Sequence, residues 1–214
     1  MMKKYGVLFD LDGVLIDSET VYTRFWDGIG KEFNTGIRDF ALSIKGMTLP
    51  AILNTFFQDD ETRQLVKQRI RNYEKTMPYR PFPEAMRFVG ELNVAGIPCA
   101  IVTSSSRGKM ENVYRQNPGF RDHFDAVITA EDVAHSKPDP DPYLKGAAAL
   151  SLPIQDCVVF EDSLSGIESG LRSGATVFAL ATTLPMDSIK TKARNAINSF
   201  AGFHISDMLA GIGS

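Results

Sequence analysis

The most informative segment of the sequence is Tyr5-Gly6-Val7-Leu8-Phe9-Asp10-Leu11-Asp12-Gly13. Its first five residues are a short apolar run that is typical of a buried strand. The run ends at two aspartates, and Gly13 allows the chain to turn sharply there. Because open α/β sheets bind ligands at the carboxyl ends of their strands, Asp10 and Asp12 are candidate functional residues. The alternative is a solvated acidic turn.

Further along the chain, strand-like runs alternate with helical patterns. The runs lie at residues 98–102, 126–128, 158–160 and 176–180. Helical stripes between them are Ala85/Phe88/Val89/Leu92 behind Pro83, Tyr143/Ala147/Leu150 and Ile167/Leu171. Strands that alternate with helices predict an α/β fold, with a parallel sheet covered on both faces.

Residues 18–83 interrupt this alternation and contain no convincing strand. They carry two apolar stripes at helical spacing, Tyr22/Trp26/Ile29/Phe33 and Val66/Ile70/Tyr73/Met77. Prolines at positions 78, 81 and 83 then crowd together as in a linker. We therefore predict a catalytic core formed by residues 1–17 and 84–214, with an all-helical cap inserted at 18–83.

Composition excludes several classes of protein. The 214 residues carry a net charge of −3, with lysines and arginines scattered along the chain, so we expect no nucleic-acid partner. No apolar run approaches membrane-spanning length, and we expect a cytoplasmic protein that does not bind membranes. Cys99 and Cys157 lie in or beside apolar runs, which favours buried thiols over a disulfide. We expect a monomer or a weak homo-oligomer.

The two aspartates after the first strand suit phosphoryl transfer. A carboxylate at position 10 can attack phosphorus and form an aspartyl phosphate. A second carboxyl group at position 12 can protonate the leaving oxygen and later activate water. This chemistry requires groups that bind and neutralise the phosphate.

Two later segments offer such groups. Thr103-Ser104-Ser105-Ser106 follows a strand and supplies hydroxyls and backbone N–H groups, a good phosphate cradle. The same residues also favour a purely structural helix N-cap. Ser136-Lys137-Pro138-Asp139-Pro140 places a lysine in a proline-rich loop, where it can neutralise both phosphate and nucleophile. The alternative for Lys137 is a solvated loop residue.

Two adjacent carboxylates, Glu161 and Asp162, follow another apolar strand. Magnesium prefers oxygen ligands and few protein carboxylates, so Asp10, Glu161 and Asp162 would suit it if the chain turns at Ser163. The alternative is a capped helix start, where acidic residues are favourable. All four segments follow predicted strands in order, and this coincidence favours one shared functional site over four unrelated structural features.

Together these segments resemble the haloacid dehalogenase superfamily, in the branch with a small helical cap after the first strand. The resemblance implies a Rossmann-like core with its site under the cap. It implies that Asp10 is the nucleophile, Asp12 the general acid/base, Thr103 a phosphate-binding hydroxyl and Lys137 the neutralising lysine. It further implies that Mg²⁺ is bound by Asp10, Glu161, Asp162 and the backbone carbonyl of Asp12. We assign substrate binding to Gly13, Ser104, Ser105, Lys45 and Lys75.

Within this superfamily, the sequence favours a phosphatase that acts on a small phosphorylated metabolite, such as a sugar phosphate. Dehalogenases lack an acid at the position of Asp12, and a non-catalytic scaffold would not need every catalytic position filled. The rival is a β-phosphoglucomutase, which the cap segments around Lys45 and Lys75 resemble. Against it, Tyr22 and Leu49 occupy the positions where the mutases carry a histidine and an arginine.

Overall fold

The protein is described here by a computed structural model, which covers residues 5–44 and 47–212. Within them lie eight strands: β1 (Gly6–Phe9), β2 (Ile16–Asp17), β3 (Arg80–Pro81), β4 (Cys99–Val102), β5 (Ala126–Ile128), β6 (Cys157–Glu161), β7 (Thr176–Leu180) and β8 (Asn195–Ile197). The same residues form ten α-helices: α1 (Glu19–Glu32), α2 (Phe40–Ser43), α3 (Leu49–Phe56), α4 (Asp60–Thr76), α5 (Pro83–Val94), α6 (Arg107–Gln116), α7 (Asp141–Ala149), α8 (Leu164–Ser173), α9 (Met186–Ile189) and α10 (Ile205–Ile212).

Six strands form one parallel sheet in the order β5-β4-β1-β6-β7-β8. Strand β1 lies near its centre, with Val7 opposite Cys99 on one side and Val158 on the other. Every residue of β1, β4 and β6 is buried, as expected for strands covered on both faces. The carboxyl ends of these three strands therefore meet at one edge of the sheet.

Helices cover the sheet on both faces. Successive residues of β1 point to opposite sides: Phe9 packs into a cluster with residues of α5, α6 and α10, and Leu8 into one with residues of α7, α8 and α9. On the first side, the rings of Phe9 and Phe160 stack with their centroids 5.3 Å apart. This three-layer arrangement confirms the predicted α/β, Rossmann-like core. Leu171, predicted on the apolar stripe of α8, is instead 44% exposed, while Ile167 is buried.

Helices α1–α4 form a separate apolar cluster above the sheet edge. Its buried members include Trp26, Ile29, Phe40, Ile52, Val66 and Ile70. Local capping explains where two of these helices begin. The Thr48 side chain accepts a hydrogen bond from the Ala51 N–H at the start of α3, and Asp59 accepts one from Thr62 at the start of α4.

A two-stranded ribbon connects the two parts. Strands β2 and β3 pair in antiparallel fashion, with Ile16 opposite Pro81 and Asp17 opposite Arg80. The sequence indicated no strand in residues 18–83, so β3 corrects that interpretation. The ribbon lies beside the predicted boundaries at residues 17 and 84, which stay a prediction.

The state of the cysteines and the character of the helices complete the description of the fold. Cys99 and Cys157 are both buried free thiols, as predicted. Among the described residues, no helix has the length and apolar character needed to cross a membrane.

Candidate active site

A cavity of about 410 Å³ lies between the carboxyl edge of the sheet and the cap helices. The core contributes Asp10, Asp12, Thr103, Ser104, Ser105, Lys137, Glu161 and Asp162 to its lining. The fold therefore brings together the residues that the sequence assigned to nucleophile, acid/base, phosphate and metal roles. From the cap, the lining includes Tyr22, Trp26, Leu49, Lys67, Arg71 and Glu74.

Asp10, the predicted nucleophile, directly follows the central strand. Its backbone N–H donates to the Phe160 carbonyl over 3.0 Å, which extends the sheet pairing to this residue. Its Oδ1 accepts a hydrogen bond of 2.6 Å from Lys137 Nζ. Burial, together with the negative charges of Glu161 and Asp12, raises the pKa of Asp10 to about 7 even though the positive charge of Lys137 lowers it. The lysine therefore favours the ionised carboxylate that a nucleophile requires.

Lys137 is buried at the centre of the site rather than solvated. Its Nζ donates to Asp10 Oδ1 and Glu161 Oε1, each over 2.6 Å, and to the Val102 carbonyl over 3.0 Å. Although burial lowers the pKa of Lys137, the charges of Asp10 and Glu161 raise it above the ordinary value. The loop position that the sequence indicated thus places a permanent positive charge against the predicted nucleophile.

Glu161, at the end of β6, is fully buried and accepts five hydrogen bonds. Its Oε1 accepts from Lys137 and, over 2.9 Å, from the Tyr143 hydroxyl. Its Oε2 accepts from the Asp162 N–H, the Ser163 N–H and the Ser163 hydroxyl, each over 3.0 Å. A Cβ atom at Gly166 would lie 1.7 Å from Oε1, so the Glu161 carboxylate can occupy this position only because residue 166 has no side chain.

The carboxylates of Asp10, Glu161 and Asp162 form a buried cluster, with one oxygen of each within 4.8 Å of the others. An all-oxygen donor set of this kind fits Mg²⁺. The cluster matches the three side chains predicted as metal ligands. Gly13 borders it with φ of +77°, and a Cβ atom at that position would lie 2.0 Å from Asp162 Oδ2.

Asp12, the predicted general acid/base, accepts its side-chain hydrogen bonds from residues outside this cluster. Its Oδ1 accepts from the Ser18 hydroxyl, and its Oδ2 accepts from the Ser105 hydroxyl over 2.9 Å and from Lys109 Nζ over 2.5 Å. Burial alone would raise the pKa of Asp12, but the charge of Lys109 and these hydrogen bonds hold it below the ordinary value. Its carboxylate form is therefore favoured.

Thr103 follows β4 and starts the turn into α6. Its hydroxyl oxygen accepts a hydrogen bond of 3.0 Å from the Ser105 N–H, and Ser106 is the N-cap of the helix. Both interpretations of this segment thus have support, because Ser106 caps the helix while Thr103, Ser104 and Ser105 line the cavity.

The structure describes one of the two cap lysines that the sequence assigned to substrate binding. Lys45 lies outside the described residues. Lys75 is exposed on α4, with its Nζ 3.5 Å from Asn72 Oδ1, and its assignment stays a prediction without support from this geometry.

Sequence reasoning missed the polar residues of α4 that do line the cavity: Lys67, Arg71 and Glu74. They occur at i, i+4 and i+7 and so share one side of the helix, next to buried Ile70. This spacing was the signal in the sequence that could have placed them together. It also missed Lys109, whose side chain is 4% exposed. The sequence could have indicated Lys109, because it comes three residues after Ser106, in the first turn of the helix that follows the predicted phosphate-binding segment.

Comparison with known proteins identifies the family. The sequence model of haloacid dehalogenase-like hydrolases matches residues 7–180. The chain belongs to this family. The family is the one that the four segments resemble, so the resemblance is confirmed.

Relatives in the haloacid dehalogenase-like family include both phosphatases and a mutase. Hexitol phosphatase A of Escherichia coli is 34% identical over 187 residues, which cover 84% of each chain. The β-phosphoglucomutase of Bacillus subtilis is 28% identical over 195 residues, 85% of each chain. A solved haloacid dehalogenase hydrolase of family IA, variant 3, from Entamoeba histolytica has a TM-score of 0.83 at 26% identity and covers 98% of this chain and 100% of its own.

Proposed function

We propose that this protein is a Mg²⁺-dependent phosphatase that hydrolyses a small phosphate monoester, a sugar or polyol phosphate, through an aspartyl phosphate on Asp10. The observation that carries the proposal is the pairing of Asp10 with buried Lys137 in a cavity that Asp12 also lines. Similarity to hexitol phosphatase A over most of both chains supports the class of substrate.

In the first half-reaction, an Asp10 carboxylate oxygen attacks phosphorus and the bond from phosphorus to the alcohol oxygen breaks. Asp12, which must take up a proton before this step, passes it to that oxygen, so the alcohol leaves neutral and Asp12 is left as a carboxylate. In the second half-reaction, Asp12 takes a proton from a water molecule that attacks the phosphoryl group. Phosphate leaves and the Asp10 carboxylate is restored.

Other residues of the chain would bind the phosphate and offset its negative charge. Lys137 lies against Asp10 and offsets negative charge on both nucleophile and phosphate. The hydroxyl of Thr103 and the turn after it face the same cavity and would bind phosphate oxygens. Mg²⁺ held by Asp10, Glu161, Asp162 and the Asp12 backbone carbonyl would supply further positive charge to the phosphate.

A β-phosphoglucomutase is the second candidate, because a relative of that name matches 85% of the chain. Two cavity residues argue against it. Leu49 lines the cavity without a charge, and the Tyr22 hydroxyl is engaged with Glu74 Oε1 over 2.8 Å. A mutase must bind its sugar phosphate in two orientations, which requires cationic groups in the cap. Lys67 and Arg71 of α4 line the cavity and would supply such groups, so they favour the mutase where Leu49 and Tyr22 favour the phosphatase.

The test is a phosphate-release screen with Mg²⁺ across hexose phosphates, hexitol phosphates, glycerol phosphate, nucleotides, phosphoglycolate and pyrophosphate. We expect turnover of sugar or polyol phosphates. A parallel assay follows conversion of β-glucose 1-phosphate to glucose 6-phosphate. Isomer formation without phosphate release would favour the mutase, and no reaction with any phosphate ester would reject both proposals.

A further inference from the structure

Lys109 is a buried cation at the junction of core and cap. It lies on α6, its side chain is 4% exposed, and its Nζ is 2.5 Å from Asp12 Oδ2. On the cap side, the same ammonium lies 4.4 Å from the centroid of the Tyr22 ring. Burial of a charged ammonium is costly unless it is paired, so this geometry requires Asp12 as its partner.

Lys109 completes the set of groups that orient the Asp12 carboxylate. Ser18 donates to Oδ1, and Ser105 and Lys109 both donate to Oδ2. The two serines come from the first turn after β2 and from the turn before α6, so three separate points of the chain hold one side chain. Of these three donors, Lys109 alone carries a charge, and charge-assisted hydrogen bonds are the stronger ones.

The cap holds Lys109 from the opposite side. The Tyr22 hydroxyl donates to Glu74 Oε1 over 2.8 Å, which fixes the ring that faces the ammonium. The positive charge of Lys109 also acts on the Glu74 carboxylate. Tyr22 lies on α1 and Glu74 on α4, so two cap helices and one core helix meet at this lysine.

We propose that Lys109 is a positioning residue for the reaction: it fixes the Asp12 carboxylate in the orientation that proton transfer requires, and the cap fixes Lys109. The inference rests on the proposed function, because it acts through the acid/base role of Asp12. Lys109 itself transfers no proton and makes no bond to the substrate. A direct role in substrate binding is the competing explanation for a cation at this place.

A double-mutant cycle separates the two explanations. Lys109→Met, Asp12→Asn and the double variant are compared on a substrate from the phosphate-release screen, with kcat and KM measured separately. We expect Lys109→Met to lower kcat roughly 10- to 100-fold, the cost of misplacing a catalytic group. In the Asp12→Asn background, Lys109→Met should lower kcat by less than about twofold, because the carboxylate that Lys109 orients is already absent.

Arg115→Met is the matched control, since it removes a positive charge from the exposed side of the same helix. Its kcat should stay within about twofold of wild type. Thermal unfolding establishes that each variant is folded. If Lys109→Met does not fold, Lys109→Gln, which keeps a donor without the charge, enters the same cycle.

Three results would overturn the inference: unchanged kcat in the Lys109 variant, a rise in KM alone, or a full multiplicative loss in the Asp12→Asn background. The last two would assign Lys109 to substrate binding. Absence of turnover by the wild-type protein would overturn the proposed function and this inference with it. An active wild type with an unaffected Lys109 variant overturns the inference alone.

Discussion

Lys137 and Glu161 form an ion pair closed off from solvent: Nζ lies 2.6 Å from Oε1, and the two side chains are 2% and 0% exposed. The pair joins the loop before α7 to the end of β6, so it ties two chain segments together beneath Asp10. Removal of one partner would leave a buried charge without compensation.

We therefore expect Lys137→Met to be destabilising as well as inactive. The free energy of unfolding should fall by about 3–5 kcal/mol, the usual cost of breaking a buried pair. Urea denaturation followed by circular dichroism measures it. Lys145→Met, which affects a half-exposed lysine on α7, is the control and should change stability by less than about 1 kcal/mol. An equal decrease in the free energy of unfolding in both variants would contradict the conclusion that the buried ion pair stabilises the fold more than a surface lysine does.

Asp10→Asn should abolish turnover and leave the fold intact. The amide is nearly isosteric with the carboxylate and can still accept a hydrogen bond from Lys137, but it cannot form the acyl phosphate. The measurement is phosphate release alongside thermal unfolding of the same preparation. Substantial activity in a well-folded Asp10→Asn protein would reject the covalent mechanism.

Asp12→Ala should trap the phosphoenzyme when the substrate is an activated ester. A nitrophenolate leaving group needs little protonation, so the first half-reaction continues, whereas the attacking water still lacks its base. General acid/base help is worth about 10²–10⁴-fold, and the steady-state rate should fall by that order. Rapid-quench measurement should show a burst of nitrophenol near one per active site, followed by a slow phase.

The opposite pattern for Asp12→Ala is also informative. If activated and unactivated esters slow equally and no burst is seen, Asp12 is not the proton carrier. Its part would then be structural, at the Gly13 turn. Ser105→Ala removes one donor to Asp12 and serves as a milder comparison.

Activity should require a divalent cation, with Ca²⁺ a poor substitute for Mg²⁺. Calcium tolerates looser coordination at longer distances, which would misalign phosphate and nucleophile. Dialysis against a chelator followed by titration with each ion measures the dependence. Asp162→Asn should raise the Mg²⁺ concentration needed for half-maximal activity. Full activity after thorough chelation would refute the metal role of the Asp10, Glu161 and Asp162 cluster.

The core of the fold was predictable from the sequence because its signals are local. Strands β1, β4, β6 and β7 are apolar runs, and the apolar stripe after Pro83 is the buried face of α5. Strand β8 was missed because it begins with Asn195 and has no continuous apolar run, unlike the other edge strand, β5. The β2–β3 ribbon was missed because each strand is two residues long and pairs with a partner more than 60 residues away.

The site divides in the same way. These site residues lie at or just after strand ends or in a proline-rich loop, where their order along the chain indicates a shared location: Asp10, Asp12, Lys137, Glu161 and Asp162. The cavity-facing residues of α4 and α6 could not be assigned, since the side of a helix that faces a cavity depends on how cap and core pack. The expected cytoplasmic location and the expectation of a monomer or a weak homo-oligomer stay predictions.

The ribbon of Ile16–Asp17 and Arg80–Pro81 has one more consequence. It sets the outgoing and returning strands of the chain side by side, so the four cap helices leave and re-enter the core through a single narrow neck. A change in helix length or sequence beyond this neck alters what the cavity admits. The spacing of Asp10, Lys137 and Glu161 lies on the other side of it. The residues that select the substrate and these three residues thus lie in different parts of the chain, and Lys109, against Tyr22 of the cap, is a point where the two parts meet.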